Sequence, residues 1–243
     1  GNHDCLRNGS QYISSLDVIE AASIPGIFTY KYSDTVYVDN TSFTLLPFCD
    51  RKSLGADTLT NAFSHLKSSL AYESASIPNT YCKVLIGHQA IEGSLHVGDE
   101  FDDISKELIC APDIFSGFDY VWMGHVHKYQ VLKKANPYLS HIGSMDLSGF
   151  DESGSEKNIV IFNNVDKTFE VQSIPTRSLK HVKIEIGPEV EDANAYALAE
   201  LAKHDLTDGI VRISCSVSEG KEFDKALVLK EVEKMNPFHL NLF

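Results

Sequence analysis

Apolar positions recur with different periods along the chain, and each period predicts a different element. Ile13, Leu16, Ile19 and Ala22 fall three residues apart behind Ser10, the pattern of a helix over 10–22 with a serine cap. Thr35–Asp39 and Ser42–Phe48 flank Asn40-Thr41 as the two arms of a hairpin flank its turn. From Ala56 to Tyr72, Leu59, Ala62, Phe63, Leu66 and Leu70 share one face of a second helix. Two short apolar runs, Cys82–Gly87 and Phe118–Gly124, predict buried central strands, and each stops directly at a histidine. Between them, 98–119 holds seven acidic residues and one lysine, a pattern expected of a solvated loop with a short helix. Leu139–Ile142, Lys157–Asn163 and Phe169–Ile174 predict further strands, with 163–168 as a connecting turn. Beyond Pro175 the alternation of Lys180–Ile186 and Gly209–Val217 interleaves with helical patterns over Asp192–Lys203 and Glu222–Met235. This β-α-β-α tail predicts a separate small unit, giving domains at 1–177 and 178–243.

Composition narrows the class. The chain has 243 residues, 43% of them hydrophobic, enough for a sizeable core. No apolar run approaches the roughly 18 residues of a membrane-spanning helix. With 21 basic against 34 acidic side chains the formal charge is −13, which argues against charge-driven coating of nucleic acid but leaves room for a local basic groove. The five cysteines are widely spaced and never form CxxC, which fits a reducing, cytoplasmic setting rather than a disulfide or zinc framework.

Three fragments carry candidate chemistry: Gly1-Asn2-His3-Asp4, Gly87-His88 and Gly124-His125-Val126-His127. Each places a histidine within two residues after a glycine, and two of them follow a strand at the end where open α/β sheets gather ligands. Glycine there lets the backbone approach a metal or phosphate without a Cβ in the way. His125 and His127, two residues apart, point to one side in extended backbone and can address neighbouring metals. Imidazole and amide oxygen suit a borderline cation such as Mn²⁺, Fe²⁺ or Zn²⁺ better than Ca²⁺, which takes an all-oxygen cage.

In this order the three fragments resemble the later motifs of the calcineurin-like metallophosphoesterases, and within them the SbcD-type subunits of DNA double-strand-break-repair nucleases. His88–Gly93, Ile142-Gly143-Ser144 with Phe150-Asp151-Glu152, and Ile174–Arg177 with Gly209–Arg212 are similar to further segments of that subgroup. The resemblance implies a four-layer α/β/β/α sandwich with its first strands missing, followed by a small α/β capping domain. It implies that Asn2, His88 and His125 bind one divalent ion and His127 a second, with Mn²⁺ as the expected metal. His3 is implied to contact the phosphate and protonate the leaving oxygen, with Asp4 orienting its ring. The implied reaction is hydrolysis of DNA phosphodiesters, with DNA and an SbcC-like coiled-coil ATPase as partners, a homodimeric parent complex and a cytoplasmic location, in a cell or in the host of a virus.

Two departures accompany the resemblance. The family's Asp-x-His and Gly-Asp-x-x-Asp motifs would precede Gly1, so this chain is expected to be truncated, aggregation-prone and of little activity next to its parent. Leu147 stands where relatives often carry a basic residue. A phosphoesterase of small substrates and a non-catalytic binding subunit are the competing readings. His65, His96, His141, His181, His204 and His239 are expected as surface or satisfied core groups, His141 least firmly because it precedes Ile142-Gly143-Ser144. Trp122 is expected in the core, and Lys133, Lys134, Lys180 and Lys183 on solvated faces.

Overall fold

A computed structural model describes residues 1–8, 11–95 and 107–243. Where a helix from Ser10 was expected, strand β1 (Cys5–Asn8) pairs antiparallel with β2 (Gln11–Ser14), and helix α1 covers only Leu16–Ala22. Ser10 and His96 lie outside the described residues. Ser15 caps α1 without a side-chain bond, and the preceding Ser14 accepts from the Leu16 amide at 3.2 Å through its hydroxyl while its own amide donates to Asp17 at 3.0 Å. Strand pairing has won over a short helical period, because a hairpin satisfies the same backbone groups with a partner already at hand.

The main sheet is built from β3 (Asp34–Val38), β4 (Thr41–Leu46), β5 (Cys82–His88), β8 (Tyr120–Gly124), β9 (Gln130–Lys134) and β10 (Tyr138–His141), in the order β3-β4-β5-β8-β10-β9. The four inner strands run parallel and the two outer ones antiparallel. Helix α2 (Leu59–Ser76) starts at Thr58, whose side chain accepts from the Asn61 amide, and lays Ala62, Leu66 and Leu70 against Leu85, Val121, Met123 and Leu139 of the sheet. Burying such side chains contributes about 1.5–3 kcal/mol each. Two short strands, β6 (Ala90–Ile91) and β7 (Ile109–Cys110), pair beside it.

On the opposite face, Trp122 meets Phe162 and Phe169 edge-on at 5.5 and 5.7 Å and stacks on Tyr120 at 5.6 Å. Those phenylalanines belong to β11 (Lys157–Asn163) and β12 (Thr168–Ile174), which form a second sheet. Helix, sheet and second sheet make a mixed α/β sandwich, with Trp122 in the core as expected. Beyond the hairpin the same face stays open: Ile27, Phe28, Val36, Leu45 and Ile86 line a hollow of about 500 Å³. Phe28 and Ile27 are exposed there.

The segment expected as a solvated acidic loop needs a second correction. Its residues 98–106 lie outside the described ones. From Leu108 onward the chain turns inward, and Leu108, Cys110, Ile114, Phe115 and Phe118 join the core around α2. The acidic count concealed an apolar residue at almost every second or third place.

The chain packs as two units, residues 1–144 with 158–173, and residues 145–157 with 174–243. The second unit holds three parallel strands, β13 (Leu179–Ile186), β14 (Ile210–Val217) and β15 (His239–Leu242), with helices α3 (Ala193–Leu201) and α4 (Lys225–Glu233) in the connections. Asp192 and Asp224 cap the two helices by accepting from Ala195 and Leu227 amides at 2.9 and 3.0 Å. Val182, Ile184, Val211 and Ile213 pack against Ala197, Leu201, Val228 and Val232. The third strand was not expected; its four residues are too few to show a period. No helix among the described residues is long and apolar enough to cross a membrane.

Candidate metal centre

Parallel strands β5 and β8 are neighbours, and their register sets His88 directly opposite Gly124. Both therefore reach the carboxyl edge of the sheet at one place, and the histidine that follows Gly124 arrives beside His88. The His88 and His125 rings lie edge to face, 5.4 Å apart. Phe48, carried past the end of β4, stacks on His125 at 6.4 Å and presents its edge to His88 at 6.3 Å. Gly124 is required by this packing: a Cβ there would stand 2.7 Å from His88 Nδ1. Gly1 is equally tight, with its Cβ position 2.7 Å from His88 Cε1. His125 itself takes the left-handed backbone, φ +86°, rare for a side chain of this kind and characteristic of residues held by their surroundings.

The first fragment comes to the same corner. Asn2 and Asp4 lie in a 3₁₀ turn, Asn2–Asp4, and the Asn2 amide oxygen sits 3.0 Å from His88 Nε2. Asp4 is held by the Gly1 amino group at 2.6 Å and the Ser15 hydroxyl at 2.9 Å, and these two hydrogen bonds lower its pKa. His3 is exposed. Burial, and after it the Gly1 amino group and His125, push His88 down to about 4, with His3 adding to the same effect, so its ring is neutral near pH 7. His127 is half-buried on the loop after β8, with its carbonyl accepting from the Ser144 amide at 3.1 Å.

One participant carries no signal of its own in the sequence. Glu107, half-buried, places Oε1 at 3.1 Å from His125 Nε2. It is hidden in the acidic segment, where a count of charges marks it as one solvated carboxylate among seven.

Among the described residues, no group of three or more His, Cys, Asp or Glu side chains is spaced to hold a metal ion. The donors meet in pairs, one of which includes the Asn2 amide. Two cis donors about 2.1 Å from an octahedral divalent cation lie about 3 Å apart. The Asn2–His88 and Glu107–His125 separations of 3.0 and 3.1 Å have that value. Neutral imidazole, amide oxygen and carboxylate are also the donor set that Mn²⁺, Fe²⁺ and Zn²⁺ accept. In donor type these residues suit such an ion, but they meet as two separate pairs rather than as one assembled set. A hollow of about 400 Å³ opens beside it, lined by Gly1, Asp4, Phe48 and His88 together with apolar residues of the α1 region.

Comparison with known proteins gives one distant likeness. Over 198 residues the chain is 25% identical to the SbcD component of the SbcCD nuclease of Staphylococcus epidermidis, an alignment covering 76% of the chain and 50% of that protein. The chain thus spans about half the length of the curated relative it matches. No family model matches it.

Proposed function

We propose that the chain carries the metal-dependent phosphodiesterase site of an SbcD-type DNA nuclease. The observation that supports this most is the meeting of Asn2, His88 and His125, from fragments far apart in sequence, at the carboxyl ends of two adjacent parallel strands. The likeness to a nuclease component agrees with it.

In this reading Asn2, His88 and His125 hold one divalent ion, His127 a second, and Mn²⁺ is the expected metal. When bound, such ions polarise the phosphate and make a water nucleophilic near neutral pH. The protein's own part is positional. His88 is neutral and so offers a lone pair rather than a charge. Glu107 contributes negative charge beside His125, which a set of neutral ligands lacks. His3, exposed next to this corner, is able to reach a phosphate and give a proton to the departing sugar oxygen. Residues 178–243 serve as a cap that presents DNA, and the partners are DNA and an SbcC-like ATPase, with a homodimeric parent assembly.

The test is hydrolysis, by the parent protein that contains this chain, of linear DNA and of bis(4-nitrophenyl) phosphate with Mn²⁺, with and without an SbcC-like ATPase. Cleavage of DNA that is lost in H88A and H125A is expected. Cleavage of the small ester alone would move the assignment to a small-molecule phosphoesterase. Inertness toward both, together with no Mn²⁺ binding by calorimetry, would leave a non-catalytic binding protein.

A further inference from the structure

We propose that His141 is the joint that keeps the His88 and His125 loops in register, a positioning residue for the metal centre proposed above, on which reading this inference rests. His141 ends β10, opposite Met123 of β8, and is fully buried. Its Nδ1 lies 2.9 Å from the Gly124 carbonyl and its Nε2 lies 2.8 Å from the Ser94 hydroxyl. A carbonyl oxygen only accepts, so Nδ1 carries a proton, and in the neutral ring Nε2 then accepts from Ser94. One buried ring therefore ties together two separate loops. Ser94 belongs to the turn that follows the His88 strand, where its amide donates to the Ile91 carbonyl at 3.1 Å. Gly124 is the residue from which the chain enters His125 at φ +86°.

The residues after His141 continue the same contact along the backbone. The Ile142 amide donates to the Met123 carbonyl at 2.9 Å and the Ser144 amide to the His127 carbonyl at 3.1 Å. Between them Gly143 adopts φ +79°, and a Cβ there would come within 3.0 Å of the His127 carbonyl and the Tyr129 amide. The segment 141–144 is thus laid against 123–127 from end to end. An unusual backbone at His125 needs surroundings that over-determine it. A hydrogen bond fixing the carbonyl immediately before it does that, and only a side chain with a donor at that point can supply it.

The experiment uses the whole chain with ¹⁵N-labelled histidine. Long-range ¹H–¹⁵N spectra of the wild type should show His141 as the Nδ1–H form; an averaged or Nε2–H ring would overturn the assignment. In H141L, the ring signals of His88 and His125 should shift, and the Mn²⁺ concentration that broadens them should rise about tenfold or more. H141Q, whose amide carries one donor and one acceptor, should return that concentration to within about threefold of the wild type. Unchanged signals and unchanged broadening in folded H141L would sink the idea. If the wild type shows no Mn²⁺ broadening, the metal reading fails, while the tautomer and the shifts still decide the role of His141. Should H141L not fold, S94A removes one bond and leaves the ring; an unaltered His141 signal there would count against the joint.

Discussion

Lys157 Nζ stands 2.6 Å from Glu152 Oε2, with both side chains almost wholly out of solvent. The Ser148 hydroxyl donates to Glu152 Oε1, and the Ser148 amide donates to Oε2 at 3.2 Å. A pair buried to this extent is neutral in sum but unforgiving of the loss of one member. K157M or E152L alone should cost about 3–5 kcal/mol in urea unfolding, and the double variant should recover most of that loss. Equal costs for single and double variants would show that the two charges do not act as a pair.

Trp122 is the chain's one tryptophan, so its emission reports on a single place. It is enclosed by Tyr120, Phe162 and Phe169. Removing Phe169 opens that enclosure from one side. F169A is expected to shift the emission to the red and to lower stability by about 2–4 kcal/mol, toward the lower part of the range for aromatic truncations because the site is only half enclosed. An unmoved spectrum would mean that the second sheet does not cover Trp122 in solution.

His88 sets an acid-side limit for the metal-free chain. Its value of about 4 in the folded state compares with about 6.5 for a free imidazole. Between those values the unfolded chain binds more protons, so stability rises with pH across the window. The contribution is intact above about pH 6.5 and is lost progressively as the pH falls toward about 4. Urea midpoints at about pH 5 and about pH 7 should differ less in H88Q than in the wild type. A slope that survives H88Q belongs to other groups.

Cysteine labelling separates inner from outer thiols. Burial pushes Cys110 up to about 12 and Cys49 up to about 11, and both side chains are in the core. Cys82 and Cys215 are raised by burial as well but are only half-buried. Under native conditions at about pH 8, a thiol reagent followed by mass mapping should mark Cys82 and Cys215 while leaving Cys49 and Cys110 unmarked until the chain unfolds. Early labelling of Cys110 would contradict this packing.

G124A places a methyl group on the His88 ring, 2.7 Å from Nδ1. The ring must move, and Mn²⁺ affinity should fall about tenfold or more while the fold is retained. Calorimetry with Mn²⁺ checks this; unchanged affinity would remove His88 from the ligand set.

The centre of the sheet is legible in the sequence because β5 and β8 are short apolar runs that end at a histidine or glycine, and adjacency in a parallel sheet does the rest. His88 and His125 can be picked out by that rule before any contact is visible. Their closeness to Asn2 cannot, since it depends on where a 3₁₀ turn at the start of the chain comes to lie. Glu107 is hidden because charge counting cannot tell which carboxylate of an acidic segment turns inward. His141 looks ordinary for a related reason: two hydrogen bonds to distant backbone and hydroxyl groups leave no trace in local spacing. Strand β2 reads as helix because Ile13 and Leu16 satisfy a helical period that a nearby strand partner overrides.

In the second unit every strand is joined to the next through a helix that packs on the pair it links. Contacts in that core therefore connect positions a few tens of residues apart at most, with Asp192 and Asp224 starting each helix locally. A chain organised in this way closes only short loops as it collapses, so the entropy of bringing its parts together is met in small steps.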